Sequence, residues 1–423
     1  MIEDSYFGKE QKYFYEKLDN GLEIYVAPNH KRVGYHIELV TKFGSEIDEF
    51  IPIGEKNYMK IPKGTAHFLE HKMFDSEDTD AFTFFSKTGT YTNAGTNYIC
   101  TKYYAEGKKN FKKNLDFLIT MVMTPYFTDE GVIKERGIIS EEIKMYDDEP
   151  EFIFDYEMKK AVYNAHFQSK IAGTVESIQE INVDILNKVY KTFYQPSNMF
   201  IVISGNISRK DVLDILKNNQ ALNSAVTNYP IIYKEKKETG NIVDEYKKIE
   251  GNITYPKVKY SYKFMLDEFK TITGDMLILY LNSIFSCLFG DGSDFEENIY
   301  NKHIVTDYYL DHISYKNVYV LTLDAESEYA DLFKEEIDLV LKNINITKEE
   351  FERLKRTWVS ICIRGLDNIA VIASNICYSV LKKEKINFYS LIEQMNYEDC
   401  IKILNELKFD NKCFLLMVPK EDK

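Results

Sequence analysis

Two histidines four residues apart with a glutamate between them, His67-Phe68-Leu69-Glu70-His71, are the residues of this chain best spaced to do chemistry. On a helix, positions i and i+4 lie one above the other, so both imidazoles can bind a single metal ion. Glu70 follows His67 by three residues on the same face, within reach of a proton on a metal-activated water. Two histidines and a water leave a tetrahedral site one ligand short. The run Glu135-Arg136-Gly137-Ile138-Ile139-Ser140-Glu141-Glu142-Ile143 offers the missing carboxylate. Glu135 and Glu142 are two helical turns apart and return to nearly the same face. A pair of acids on a semi-buried face is costly unless a cation or hydrogen bonds compensate, and a metal answers that cost. Glu141, one residue off, points about 100° around the helix and faces solvent.

The elements that must carry these residues can be read from punctuation and period. Pro62 and Gly64 break the chain before the motif, and Thr65 is expected to cap the helix that follows. Thr128-Asp129-Glu130 starts a second helix, expected over 128–146, with Val132, Ile133, Ile139 and Ile143 as its apolar stripe. Further helices are expected over 109–123, 183–193, 330–342 and 347–364, and strands at 21–26, 199–204 and 318–323. Alternation from Tyr91 through Tyr104 suits an extended strand that could pair with a peptide. A faint internal repeat sets Thr128-Asp129-Glu130-Gly131-Val132 against Thr347-Lys348-Glu349-Glu350-Phe351. The same register places Leu354 opposite Glu135 and Ile361 opposite Glu142. A second match aligns Asn182, Lys188, Val189, Phe193 and Phe200 with Asn396, Lys402, Ile403, Leu407 and Phe414. Both matches are offset by about 215 residues, as a duplication requires. The expectation is an α+β chain of two homologous domains, each a mostly antiparallel sheet with helices packed on one side. A metal-binding domain covers 1–230, a charged linker 231–245, and a related domain without the metal 246–423.

The chain resembles the inverzincin metallopeptidases, the family of pitrilysin, insulinase and the mitochondrial processing peptidase. The segments that carry the resemblance are Gly21-Leu22, Phe43-Gly44-Ser45, Gly64 through His71, Thr92-Asn93-Ala94, Glu135 through Glu142, Ala172-Gly173-Thr174 and Phe193-Tyr194-Gln195-Pro196-Ser197-Asn198-Met199. They run in the family's order through the first half, and the short bacterial members are the most similar. The resemblance implies His67, His71 and Glu142 as ligands of one zinc ion per chain, with Glu70 as the general base. It implies Glu135 as an acid behind a ligand histidine, and Asn93 and Ala94 as the segment that holds substrate backbone. Active members complete the site with an arginine and a tyrosine in a stretch like L-R-x-x-x-x-L-G-Y. The corresponding region, 288–307, has neither in that arrangement, and Asn298 stands near the place of the arginine. The resemblance therefore implies a dimer, with a homologous chain supplying the two missing side chains.

Composition narrows the setting. The acidic, polar start and the lack of an apolar run of about 18 residues argue against a signal peptide and a membrane span. Six scattered cysteines without C-x-x-C spacing fit reduced thiols in a cytoplasm. A net charge of −14 disfavours nucleic acid and anionic membranes as partners. Three classes of function remain. The leading one is a zinc endopeptidase for short or unfolded peptides, including precursor peptides, as the metal-bearing subunit of a two-chain enzyme. The others are a non-catalytic scaffold and a peptide-binding subunit of the same fold.

Overall fold

The computed structural model describes residues 2–5, 12–77, 80–225, 228–384 and 387–420. Two compact units are present. One comprises Met1–Met145, Ser169–Glu235 and Ile363–Asn387; the other comprises Tyr146–Gln168, Lys236–Cys362 and Phe388–Lys423. The units therefore do not follow two continuous halves of the sequence, because each incorporates a segment from the opposite half.

The first unit holds the strands β1 (Ile2–Ser5), β2 (Lys12–Lys17), β3 (Glu23–Pro28) and β4 (Tyr35–Thr41), then a short antiparallel pair β5 (Glu49–Phe50) and β6 (Met59–Lys60). After these come β7 (Tyr91–Thr96), β8 (Thr101–Gly107) and β9 (Met199–Gly205). Its main sheet runs β1-β2-β3-β9-β4-β8-β7. Only β3 and β9 pair in parallel. The second unit holds β10 (Tyr246–Gly251), β11 (Lys257–Met265), β12 (Asp307–Tyr315), β13 (Val318–Glu326) and β14 (Lys412–Pro419), in the order β10-β14-β11-β13-β12. Strand for strand this repeats β3-β9-β4-β8-β7, with the parallel pair again first. Phe200 opens the parallel register of β9 and Phe414 that of β14. The duplication expected from these two residues is present in the fold.

Period-2 alternation explains what each sheet buries on its two faces. In β4, Tyr35, Ile37 and Leu39 enter a core shared with Phe68, Leu69, Leu118 and Leu186. His36 and Glu38, on the other face, are covered by the helix Ile369–Lys382, whose Cys377 Sγ donates to Glu38 Oε2 at 2.9 Å. In β11, Tyr260, Tyr262 and Phe264 enter the second core, while Lys259 and Lys263 lie under the helix Pro150–Val162. Lys259 pairs there with Asp155 at 2.6 Å, and Lys263 donates to the Val162 carbonyl at 3.0 Å. In each sheet, then, a helix packs on the face opposite the apolar core: Ile369–Lys382 on β3, β4 and β9, and Pro150–Val162 on β11 and β14.

Helices at Asp129–Asp148, Val183–Phe193, Ala330–Lys342 and Lys348–Gly365 lie within two residues of their expected ends. One expectation fails. The run Gly274–Asn301 is long and apolar enough to span a bilayer, but 61% of its most apolar window is buried inside the fold. The run comprises two helices, Gly274–Phe289 and Asp294–Asn301, and the apolar side chains of the first serve the core of the second unit.

Candidate metal centre

The motif lies on a short helix, Thr65–Lys72. Its N-cap is Gly64, in the left-handed region at φ 87°, and no side chain caps it. Thr65 is thus not the cap: it is the first helical residue, and its hydroxyl donates to the Pro62 carbonyl at 2.6 Å. Glycine is required at 64 on a second count, since a Cβ there would lie 2.3 Å from the Ala172 carbonyl oxygen. A Cβ at Gly173 would lie 2.5 Å from the Lys63 carbonyl oxygen, which also accepts from Ser177 Oγ at 2.8 Å. Backbone thus meets backbone at the motif's N-terminus and fixes where the two histidines emerge. Phe68 and Leu69, wholly buried, anchor the opposite side of the helix.

The second helix, Asp129–Asp148, starts where Thr128 Oγ1 accepts from the Gly131 N–H at 3.0 Å. Val132, Ile139 and Ile143 are buried, and Arg136 donates twice to the Ile181 carbonyl, at 3.1 and 2.7 Å. These contacts turn Glu135 and Glu142 toward the motif helix. Glu141 is 74% exposed and pairs with Lys144 at 2.7 Å, away from the site.

His67 Nε2 lies 3.6 Å from Glu142 Oε1, and His71 Nε2 lies 3.5 Å from Glu142 Oε2. One ligand atom from each of the three residues falls within 4.8 Å of the other two. Distances of 3.5 and 3.6 Å are at or past the limit for hydrogen bonds. They leave room for a cation between the two rings and the carboxylate, with one Glu142 oxygen facing each ring. The donors fit zinc chemically as well, being two imidazoles and one carboxylate with room for a fourth ligand.

Electrostatics support the same reading. Burial, then the charge of His71, push the His67 pKa down to about 4, so His67 is neutral and has a lone pair to offer. Burial also opposes charge on His71, but its hydrogen bond to Glu135 and the charges of Glu135, Glu142 and Glu70 outweigh that and raise its pKa. Glu135 Oε1 accepts from His71 Nδ1 at 2.9 Å, which leaves Nε2 directed at Glu142. Glu70 is 8% exposed, and burial raises its pKa against the lowering effect of a bond from Thr96. Thr96 Oγ1 donates to Glu70 Oε2 at 2.6 Å. The sequence reading missed Thr96, which lies 26 residues from Glu70 in another element.

Asn93 and Ala94 lie on β7, the edge strand of their sheet. The Asn93 side chain is turned onto its own strand, where Oδ1 accepts from the Ala94 N–H at 2.9 Å. A peptide that paired with Ala94 would have to displace that amide. Asn298 belongs to the helix Asp294–Asn301 and donates to Glu336 Oε2 at 2.6 Å.

Comparison with known proteins matches two consecutive stretches of the chain. The family described as Insulinase (Peptidase family M16) matches residues 45–175, and the one described as Peptidase M16 inactive domain matches residues 180–357. The "Uncharacterized zinc protease YmfH" of Bacillus subtilis is 32% identical over 421 residues, 97% of either chain. The solved structure of a putative M16-like peptidase from Alicyclobacillus acidocaldarius superposes with a TM-score of 0.88 at 25% identity, covering 97% of this chain and 99% of that one. The periplasmic protease PqqL from Escherichia coli shares the fold, with a TM-score of 0.75 at 18% identity. All of this chain matches 48% of PqqL.

Proposed function

The chain belongs to the insulinase (M16) family of peptidases, and from that premise we propose that it is a zinc-dependent endopeptidase for short or unfolded peptides, precursor peptides among them. The convergence of His67, His71 and Glu142 beside a buried Glu70 carries this reading. Those three residues would hold the ion, one per chain. When bound, zinc supplies Lewis acidity toward a water molecule and the scissile carbonyl. Glu70 takes the proton from that water and returns it to the leaving amine, so the products are a carboxylate and an amine with no covalent intermediate. Glu135 keeps the His71 proton on Nδ1 and the ring in orientation. Asn93 and Ala94 on the open edge of β7 hold the substrate backbone by strand addition.

The proposed assembly is a dimer in which this chain carries the metal and a homologous chain brings the arginine and tyrosine. Two features support it: residues 288–307 lack those side chains in the required arrangement, and this chain matches about half the length of PqqL. The proposed setting is cytoplasmic, in keeping with six cysteines that are all free. The missing arginine–tyrosine arrangement also favours a second reading, a peptide-binding or scaffold subunit without turnover.

Zinc analysis and a fluorogenic peptide library separate the two readings, with wild type and Glu70→Gln each assayed alone and with a homologous chain lacking H-x-x-E-H. Peptidase function requires one zinc in both proteins and cleavage, with or without the homologous chain, by wild type but not by Glu70→Gln. Equal cleavage by Glu70→Gln, or no metal uptake by wild type supplied with zinc, overturns it. Cleavage by neither protein under any pairing favours the subunit without turnover.

A further inference from the structure

Glu70 has two carboxylate oxygens, and catalysis by this group needs one of them aimed at the water. A glutamate side chain has three rotatable bonds, so something must select the productive conformer. The motif helix does not do this by itself, since it fixes only the Glu70 backbone.

The selecting contact comes from the end of β7. Thr96 pairs with Thr101 of β8, which places both hydroxyls on the side that faces the motif helix. Thr101 Oγ1 donates to the Phe43 carbonyl at 2.9 Å and lies 3.3 Å from Thr96 Oγ1. With the Thr101 proton committed to Phe43, the Thr96 proton is available to Glu70 Oε2, at 2.6 Å. The turn beyond Thr96 does not use this hydroxyl. Asn97 closes it, accepting from the N–H groups of Ile99 and Cys100, both at 2.8 Å, while its own N–H donates to the Cys100 carbonyl.

We infer that Thr96 is a positioning residue for Glu70: its hydroxyl holds Oε2 and leaves Oε1 as the oxygen that takes the proton. The inference rests on the peptidase reading above and adds a residue to it. Thr96 is not one of the three residues that converge on the metal position, so its effect on the reaction passes through Glu70. A charge-assisted bond from a threonine anchored in a sheet gives the carboxylate one orientation before substrate arrives.

Thr96→Val keeps the β-branched shape that suits a strand and removes the hydroxyl, while Thr96→Ser keeps the hydroxyl. Both are compared with wild type and Glu70→Gln as zinc-loaded full chains, together with the homologous chain if turnover needs it. Crystal structures report the Glu70 conformer, elemental analysis the zinc, and steady-state kinetics kcat and KM separately. The expected result for Thr96→Val is unchanged zinc content and melting temperature, a displaced Glu70 carboxylate, and kcat down on the order of 10- to 100-fold at nearly constant KM. Thr96→Ser restores kcat to within a few-fold. A Glu70 carboxylate that stays in place in Thr96→Val with kcat intact overturns the inference. So does a loss of zinc or melting temperature that Thr96→Ser fails to repair, because Thr96 would then be structural. If wild type cleaves nothing while the valine variant still displaces the carboxylate, positioning stands and the peptidase reading falls.

Discussion

The helices Asp129–Asp148 and Lys348–Gly365 follow matching segments of a duplicated chain, yet among the described residues only the first contributes to a candidate metal cluster. The first buries Val132, Glu135, Ile139, Ser140 and Ile143; the second buries Phe351 and leaves Ile361 and Ile363 more than half exposed. At the register of the repeat, Leu354 and Ile361 stand where the first unit has Glu135 and Glu142. Five strands of the first sheet agree in order and pairing with the five of the second, so the shared architecture is indifferent to whether a candidate site is present. The contrast extends to the covered faces. β4 buries an acid, Glu38, bonded by His36 at 2.9 Å and by Cys377. β11 buries two lysines, one between Asp155 and Asp324 and the other on Glu238. The difference teaches that the fold is held by its apolar layers, whereas the candidate metal cluster needs only a few polar side chains mounted on one copy.

The comparison can be broken most directly at Glu142. Glu142→Gln is expected to empty the first unit of zinc and abolish turnover by a factor of about 1,000 or more, since a neutral amide is a poor ligand. Ile361→Glu in the second unit should bind no metal, for lack of histidines; both outcomes are read by elemental analysis. Zinc retained by Glu142→Gln would remove the distinction between the units.

A stability test addresses the second unit. Lys263 is wholly buried and donates to Glu238 at 2.7 Å and to the Val162 and Asn241 carbonyls. Removing one partner of a buried pair costs about 3–5 kcal/mol, so Glu238→Ala should lower the denaturation midpoint strongly without changing zinc stoichiometry. Burial alone would raise the Glu238 pKa, but Lys263 and the N–H groups of residues 164–166 outweigh it and hold the carboxyl below its ordinary range. A group depressed in the folded state stabilises fully above its unfolded pKa. Its contribution is lost as pH falls through the folded value. Wild type should therefore lose more stability than Glu238→Gln on acidification from neutral pH, measured by denaturant titration.

Smaller effects sharpen the picture within the first unit. Glu135→Gln is expected to weaken zinc affinity about 10- to 100-fold in a chelator competition, because it loosens His71 without removing a ligand. Glu141→Gln, next to Glu142 but solvated, should change neither zinc affinity nor stability by more than about 0.5 kcal/mol. A large effect at Glu141 would mean that the helix presents a different face.

What the sequence made legible follows from how local each signal is. The pair His67–His71 is one helical turn, and its meaning survives without any tertiary knowledge. Glu135 and Glu142 needed only the period of one helix to be seen as a pair, although choosing the ligand between them took the family resemblance. The duplication was readable because two sets of residues recur at a similar offset, and one matched pair, Phe200 and Phe414, occupies the same register in the two sheets. Thr65 was misassigned because a threonine before a helix usually caps it, while here close approach to Ala172 demands glycine one residue earlier. Thr96 was invisible, since a hydroxyl at a strand end reveals its partner only when strand and helix are packed. Nor does periodicity say which sheet a helix will cover, so the placement of Pro150–Val162 and Ile369–Lys382 could not be read from their patterns.

That placement limits how the chain could be divided. Severing it in the 231–245 stretch would yield one fragment whose Glu38 has lost Cys377 and another whose Lys259 has lost Asp155. Each piece would expose a charged sheet face to water and carry an orphan helix with nothing to cover. Gene fission at the midpoint is therefore disfavoured, while end-to-end fusion with another such chain leaves both sheets intact. For folding, the indivisible quantity is the whole polypeptide and not the repeat from which it grew.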